Sequence, residues 1–340
     1  MIEIDFLRVG EESNSGDAIT GRLTRPDTGD YAVFVVDGGF ESVGHEIVEF
    51  VQTRYNTDVV DLVISTHPDQ DHISGLYVVV EELRVAELLL HRPSLYGYTD
   101  SDEVKAAEAD KLAALARSFG TIVTSPFARQ TYLGGALTIA GPTEDFYREQ
   151  LAEQASTRSK IELAVRKYAH KAAEAIRASL TPIFGEPPET LLTDHGGTTP
   201  RNNMSVVTEI QVDDNRILLT GDAGVPALNG AMETLDLIRV YPSDFDVVQM
   251  PHHGSRHNVD RDTLDRLLGQ KTTIRRGSAV ASVAAKADDY PRAEVANAFK
   301  RRGYPVFRTA GSNFWWQRGA PARSDYSPAT ELPWLEENEN

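Results

Sequence analysis

Apolar residues in the first third of the chain fall into short runs broken by turn residues. Residues 2–6 alternate apolar and acidic side chains, as a strand with one solvated face does. Residues 30–36 form an apolar, β-branched run that stops at Asp37, Gly38 and Gly39, a buried strand closing in a turn. The pattern then predicts an amphipathic helix over 44–55, a strand over 59–64, a helix over 73–83 and a strand over 86–91. A helix near 101–119 follows, with short strands around 121–123 and 137–139. Further strands are predicted at 206–212, 216–219, 246–249, 305–309 and 313–316. Alternating strands and helices predict an α/β layered core rather than a helical bundle.

Residues 143–190 depart from this rhythm. Ile161, Val165, Tyr168, Ala172, Ile176 and Leu180 step by three or four and share one face of a helix whose other face is charged. Pro182, Pro187 and Pro188 end it. The segment reads as an inserted helical arm, with a lid, a dimerisation element and simple packing all open. The tail, 324–340, is polar and acidic and is expected to fray or lie over the surface.

The chemistry gathers where strands end. The run 59–64 leads into His67, Asp69, Asp71 and His72, two imidazoles and two carboxylates within six residues. Strand ends hold side chains rigidly yet face a cleft, and these are the side chains that bind divalent metals such as Zn or Mn. Asp69 or Asp71 could instead cap the following helix, but capping accounts for one Asp and not for all four residues. A second strand ends in Thr220, Gly221 and Asp222, where one carboxylate could bridge two cations. A third ends in Pro251, His252, His253, Gly254 and Ser255. Side chains alternate along an extended chain, so His253 is expected as a ligand and His252 as its neighbour or a substrate contact. A fourth cluster, Arg201, Asn202, Asn203 and Ser205, offers amide and hydroxyl groups before the strand 206–212.

Composition narrows the setting. The chain has 340 residues, 41% hydrophobic, and no run near the roughly 18 apolar residues of a membrane span. Its N-terminus lacks the basic start and apolar core of a signal peptide, so the cytoplasm is the expected location and no membrane partner is expected. With no cysteine, disulfides and thiolate metal sites are excluded. The net charge of −17 is uneven: residues 256–323 hold 14 Lys/Arg against 6 Asp/Glu, and the rest holds 20 against 45. An acidic body argues against broad, sequence-independent binding of duplex nucleic acid. A basic C-terminal third could still draw an anionic substrate into one cleft.

In order, His-x-Asp-x-Asp-His from His67, Asn-Asn-x-Ser from Asn202, Thr-Gly-Asp from Thr220 and Pro-His-His-Gly-Ser from Pro251 resemble the metallo-β-lactamase fold. More narrowly, they resemble the C-terminal hydrolase domain of the competence protein ComEC, as do Gly16, Asp17, Ala18 and Ile19 and the turn at Asp37. The resemblance spans residues 1–316 apart from the insertion. It implies an αββα metallo-β-lactamase-type sandwich with a helical insertion, here a hydrolase domain over 1–323 carrying the insertion at 143–190. It further implies two divalent metal ions, Zn or Mn with Mg also compatible, at one edge between the sheets. His67 and Asp69 would serve the first, Asp71, His72 and His253 the second, with Asp222 between them. Most of the superfamily has His at Asp69, and Asp makes the site harder and more anionic. The first ion's third ligand is open between His195 and the region of Asn203 and Ser205. Where ComEC-like domains carry Gly-His-Pro, this chain has Asp289, Tyr290 and Pro291, and Lys286 or Tyr290 could replace the missing His.

Two bridged cations lower the pKa of a shared water and supply hydroxide near neutral pH. The resulting expectation is a metal-dependent phosphodiesterase or nuclease acting on nucleic acid or a nucleotide. Asp69 or Asp71 would orient the hydroxide, and His252, Ser255 or Lys286 would steady the leaving oxygen or a phosphate. Hydrolysis of a small ester, lactone or amide is the alternative reaction. A catalytically silent module is the alternative class, and a partner protein or a second copy could dock on the helical insertion.

Overall fold

The computed structural model describes residues 1–10, 13–98, 105–156, 180–190, 197–238 and 245–337. The first sheet begins with β1 (Ile2–Phe6), β2 (Ala18–Thr24), β3 (Tyr31–Gly38), β4 (Val59–Ile64), β5 (Arg84–Leu89) and β6 (Ile122–Thr124). The second holds β7 (Thr131–Tyr132), β8 (Leu137–Gly141), β9 (Val207–Val212), β10 (Asn215–Leu219), β11 (Val247–Gln249), β12 (Ser278–Ala281) and β13 (Val306–Arg308). The last strand, β14 (Phe314–Arg318), returns to the first sheet beside β1. Spatial order is β14-β1-β2-β3-β4-β5-β6 in one sheet and β13-β12-β11-β10-β9-β8-β7 in the other. Each sheet is antiparallel in one part and parallel in the other: β3 to β6 run parallel, and so do β10 to β13.

Strand alternation builds the layers. In β3, Ala32, Phe34 and Val36 face the opposite sheet, while Val33 and Val35 face the helices α1 (Glu41–Arg54) and α2 (Gln70–Glu82). In β10, Ile217 and Leu219 point between the sheets and Leu218 points outward, under the helices Val225–Leu237, Arg261–Leu268 and Ala293–Arg301. Full burial of such side chains contributes about 1.5–3 kcal/mol each. The result is a four-layer α/β/β/α sandwich in the expected α/β class, with the parallel strands ending along one edge.

Two expectations change in detail. The helix after β4 starts at Gln70, not near 73, so Asp71 and His72 sit in its first turn rather than in a free loop. The described start of the 143–190 segment is the helix Glu144–Ala155, capped by the Thr143 hydroxyl. Its Tyr147 and Leu151 pack with Met204 and Phe127, so this part is core and not a free arm. Residues 157–179, which carry most of the amphipathic pattern, lie outside the described residues. Of the two forms expected of the tail, 324–337 takes the second and lies over the surface: Leu335 is buried, its N–H donates to Asn297 Oδ1, and Leu332 N–H donates to the Val306 carbonyl. Among the described residues, no helix is long and apolar enough to cross a membrane.

Candidate metal centre

The loop leaving β4 delivers His67, buried, and then Asp69 at the residue before α2. Asp69 has extended backbone there but makes no side-chain cap bond; its Oδ1 instead lies 2.7 Å from Nε of Arg201. Asp71 and His72 follow in the first turn, where unpaired backbone N–H groups favour negative charge. Asp37, at the end of β3, ties the loop to the sheet. Its Oδ1 accepts from Thr66 N at 2.8 Å, and its Oδ2 accepts from Thr66 Oγ1 at 2.6 Å and His72 Nδ1 at 2.7 Å.

These bonds fix both rings. A carboxylate only accepts, so His72 carries a proton on Nδ1 and turns Nε2 toward the cleft. The Thr66 hydroxyl gives its proton to Asp37 and can therefore accept from His67 Nδ1, 3.0 Å away. Ser205 Oγ lies 3.3 Å from the same nitrogen, behind the ring. His67 likewise presents Nε2.

Asp222 stands between them. Its corner is held by Gln249 Oε1, which accepts from Thr220 N at 2.9 Å and Gly221 N at 3.0 Å. Asp222 Oδ1 is 3.7 Å from His72 Nε2, and Oδ2 is 3.7 Å from His67 Nε2. Asp69 Oδ2 is also 3.7 Å from His67 Nε2, and Asp71 Oδ2 is 3.9 Å from His72 Nε2.

The expected alternation at His252 and His253 does not hold, because β11 stops at Gln249 and the chain turns. Both residues are left-handed, with φ 47° and 60°, and this brings both rings to the cluster. His252 Nε2 lies 3.6 Å from Asp222 Oδ2. One ligand atom each from Asp17, His72, Asp222 and His253 fall within 4.8 Å of one another.

Asp17 was not read as a site residue. Its N–H donates to the Asp71 carbonyl at 3.1 Å, and a Cβ at Gly16 would stand 2.4 Å from that oxygen, so only glycine lets the two loops touch. Asp37 and Arg201 were also missed as site residues. The available signal was an acid at a strand boundary, Asp17 before β2 and Asp37 at the end of β3. Other expected residues are not brought in. Ser255 Oγ accepts from His257 N, and Asn203 Oδ1 accepts from Gly224 N. Lys286 is exposed and makes no ion pair or hydrogen bond to the cluster among the described residues. His195 lies outside the described residues.

Burial and mutual charge set the electrostatics. Burial pushes Asp222 up to about 7, against the pull of His252 and His72. It raises Asp17 and Asp37 as well, each partly offset by the His72 charge. Burial opposes a charged His72, yet Asp222, Asp37 and Asp71 together hold its pKa well above the usual histidine value. Burial, then the neighbouring cationic groups, drives His253 down to about 3 and His67 well below its usual value.

The residues fit a divalent cation. Among the described residues, the buried Nε2 of His67, Nε2 of His72, Oδ1 of Asp222 and Nδ1 of His253 have no hydrogen-bond partner. Buried polar atoms are almost always satisfied, and these converge on one space with the N/O donors that suit Zn or Mn.

Residues 28–275 match the Metallo-beta-lactamase superfamily, and the chain belongs to it. No curated protein matches the sequence. Among solved structures, Zn(2+)-bound PqqB from Methylobacterium extorquens is 12% identical, covering 94% of this chain and 100% of that one at a TM-score of 0.45. Tm1679, a metal-dependent hydrolase of the beta-lactamase superfamily, is 14% identical, with coverages of 92% and 98% and a TM-score of 0.42. A diphosphatase from the PhnP family is 8% identical, with coverages of 93% and 98% and a TM-score of 0.41. The family assignment rests on the sequence match.

Proposed function

We propose that this chain is a metal-dependent hydrolase whose substrate is a phosphodiester, in a nucleic acid or a nucleotide. The observation that carries the hydrolase reading is the convergence of unpartnered His and Asp atoms around Asp222 at the sheet edge. His67 and Asp69 would hold one ion, His72, His253 and Asp17 or Asp71 a second, and Asp222 would face both. When bound, divalent ions there lower the pKa of water and offset charge on the phosphoryl oxygens.

The chain's own groups supply the rest. Asp71, with its side chain about a third exposed, would take the proton of the attacking water. Arg201 holds Asp69 by Nε, and its planar guanidinium suits a phosphate oxygen at the rim. The phosphorus–oxygen bond to the leaving alkoxide breaks as the bond to water oxygen forms. Support for a phosphodiester comes from the acid-rich donor set, Asp69 above all, and from the ComEC-like order of the motifs. The acidic charge of the body favours a second reading, hydrolysis of a small neutral ester or lactone.

A panel of single- and double-stranded DNA, RNA, dinucleotides and lactones, assayed in Mn, Mg and Zn, tests the choice. Metal-dependent cleavage of phosphodiesters alone is expected. Lactone or ester turnover without phosphodiester cleavage would move the assignment to the second reading.

A further inference from the structure

We infer that His252 is the missing third protein ligand of the ion position formed by His67 and Asp69. This rests on the metal-binding reading above and goes further: Asn203 braces Gly224 and Ser205 stands behind the His67 ring, so neither takes that role, and His195 lies outside the described residues.

Asn258 is fully buried. Its Nδ2 donates to the carbonyls of Asp222 at 2.8 Å and Ala223 at 3.3 Å, so its Oδ1 must be the atom facing His252 Nδ1 at 3.1 Å. An amide oxygen only accepts, and at 3.1 Å it outweighs the Asn202 Nδ2 donor 3.4 Å from the same nitrogen, which puts the His252 proton on Nδ1. Nε2 then offers a lone pair toward Asp222 Oδ2, 3.6 Å away. Two acceptors aimed at each other repel unless a cation lies between them.

The spacing matches that role. Donors about 2 Å from a tetrahedral cation stand roughly 3.3 Å apart. Asp222 Oδ2 lies 3.6 Å from His252 Nε2 and 3.7 Å from His67 Nε2, which is itself 3.7 Å from Asp69 Oδ2. Three of these four donors are braced from behind: His67 by Thr66, Asp69 by Arg201 and His252 by Asn258. The left-handed backbone at both His252 and His253, rare for residues with a side chain, is what brings both rings to the cluster around Asp222. The competing account is a doubly protonated His252 paired with Asp222 as a simple ion pair.

The test counts ions. Metal-free protein is titrated with Co(II), read by native mass spectrometry and by the cobalt absorption bands. The variants are His252→Gly, which suits φ 47°, and His253→Ala. Wild type should take two ions. His252→Gly should lose one or bind it at least 100-fold more weakly, and added imidazole should restore it with the cobalt spectrum of the wild type. His253→Ala should weaken the other ion. Two ions bound at wild-type affinity by His252→Gly, or wild type saturating at one ion, would overturn the inference while leaving a metal centre in place. Wild type binding no ion would instead overturn the metal-binding reading itself.

Discussion

Replacing Asp37 by Asn isolates the contribution of the residue that orients His72. Asp37 accepts three hydrogen bonds, two from Thr66 and one from His72 Nδ1 at 2.7 Å. Asparagine keeps one acceptor oxygen and turns the other into an amide. If the oxygen stays on Thr66 N, the amide faces Nδ1 and forces that nitrogen to accept. The proton then moves to Nε2, which faces Asp222 Oδ1 at 3.7 Å, and the ligand lone pair is lost. A charge-assisted bond of this kind contributes about 1.5–3 kcal/mol. At about 1.4 kcal/mol per tenfold, that is a loss of roughly 10- to 150-fold in metal affinity. Competition against a chromophoric chelator measures it. The metal-free variant should unfold cooperatively near the wild-type temperature, since the substitution also removes a buried charge. A dissociation constant within about twofold of wild type, in a folded variant, would refute the tautomer argument.

Two further substitutions test the scaffold. Glu209 is buried on β9; among the described residues its Oε1 has no hydrogen-bond partner and pairs only at 3.9 Å with Arg216 Nε, and burial, only partly offset by Arg216, pushes its pKa up to about 7. A raised folded-state pKa means the stabilising contribution is complete below the unfolded value near 4.5 and is lost as pH rises through 7. Glu209→Gln should therefore match wild type in denaturant melts at pH 4.5 and exceed it by a few kcal/mol at pH 8; equal stability at both would refute the assignment. Gly75→Ala would place a Cβ 2.0 Å from the Gly38 carbonyl oxygen and 2.9 Å from Gly44 N, all backbone. It should cost about 1–3 kcal/mol and also weaken metal binding, because α2 carries Asp71 and His72; a variant unchanged in both melts and titration would contradict that packing.

Much of this architecture was legible because β-branched runs mark the buried strands and polar residues mark their ends. The runs leading to Asp37, His67, Asp222 and the His252–His253 pair are of this kind, and all four ends meet at one edge. What was not legible depends on contacts between distant segments. Asp17 reads as an ordinary residue before a strand, and only its seat on the Asp71 carbonyl brings it to the cluster. The two adjacent histidines mislead because alternation assumes an extended chain, and the strand stops three residues before His252. The start of α2 was read late because Asp71 and His72 interrupt the apolar period in a first turn that tolerates them. The strand Ser278–Ala281, buried at every position, has no alternation to reveal it. The described start of 143–190 looked like an arm because the partner of Tyr147 and Leu151 is Met204, some fifty residues on.

The central claim is that the cluster around Asp222 binds divalent cations and that these cations drive phosphodiester hydrolysis. The most direct test measures metal content and oligonucleotide cleavage together, on wild type and Asp222→Ala from matched preparations with intact fold. Bound divalent metal in wild type, with metal loss and a fall in cleavage of about a thousandfold or more in the variant, is the predicted result. Cleavage undiminished in Asp222→Ala, or a wild type that hydrolyses no phosphodiester with its metal in place, would contradict it.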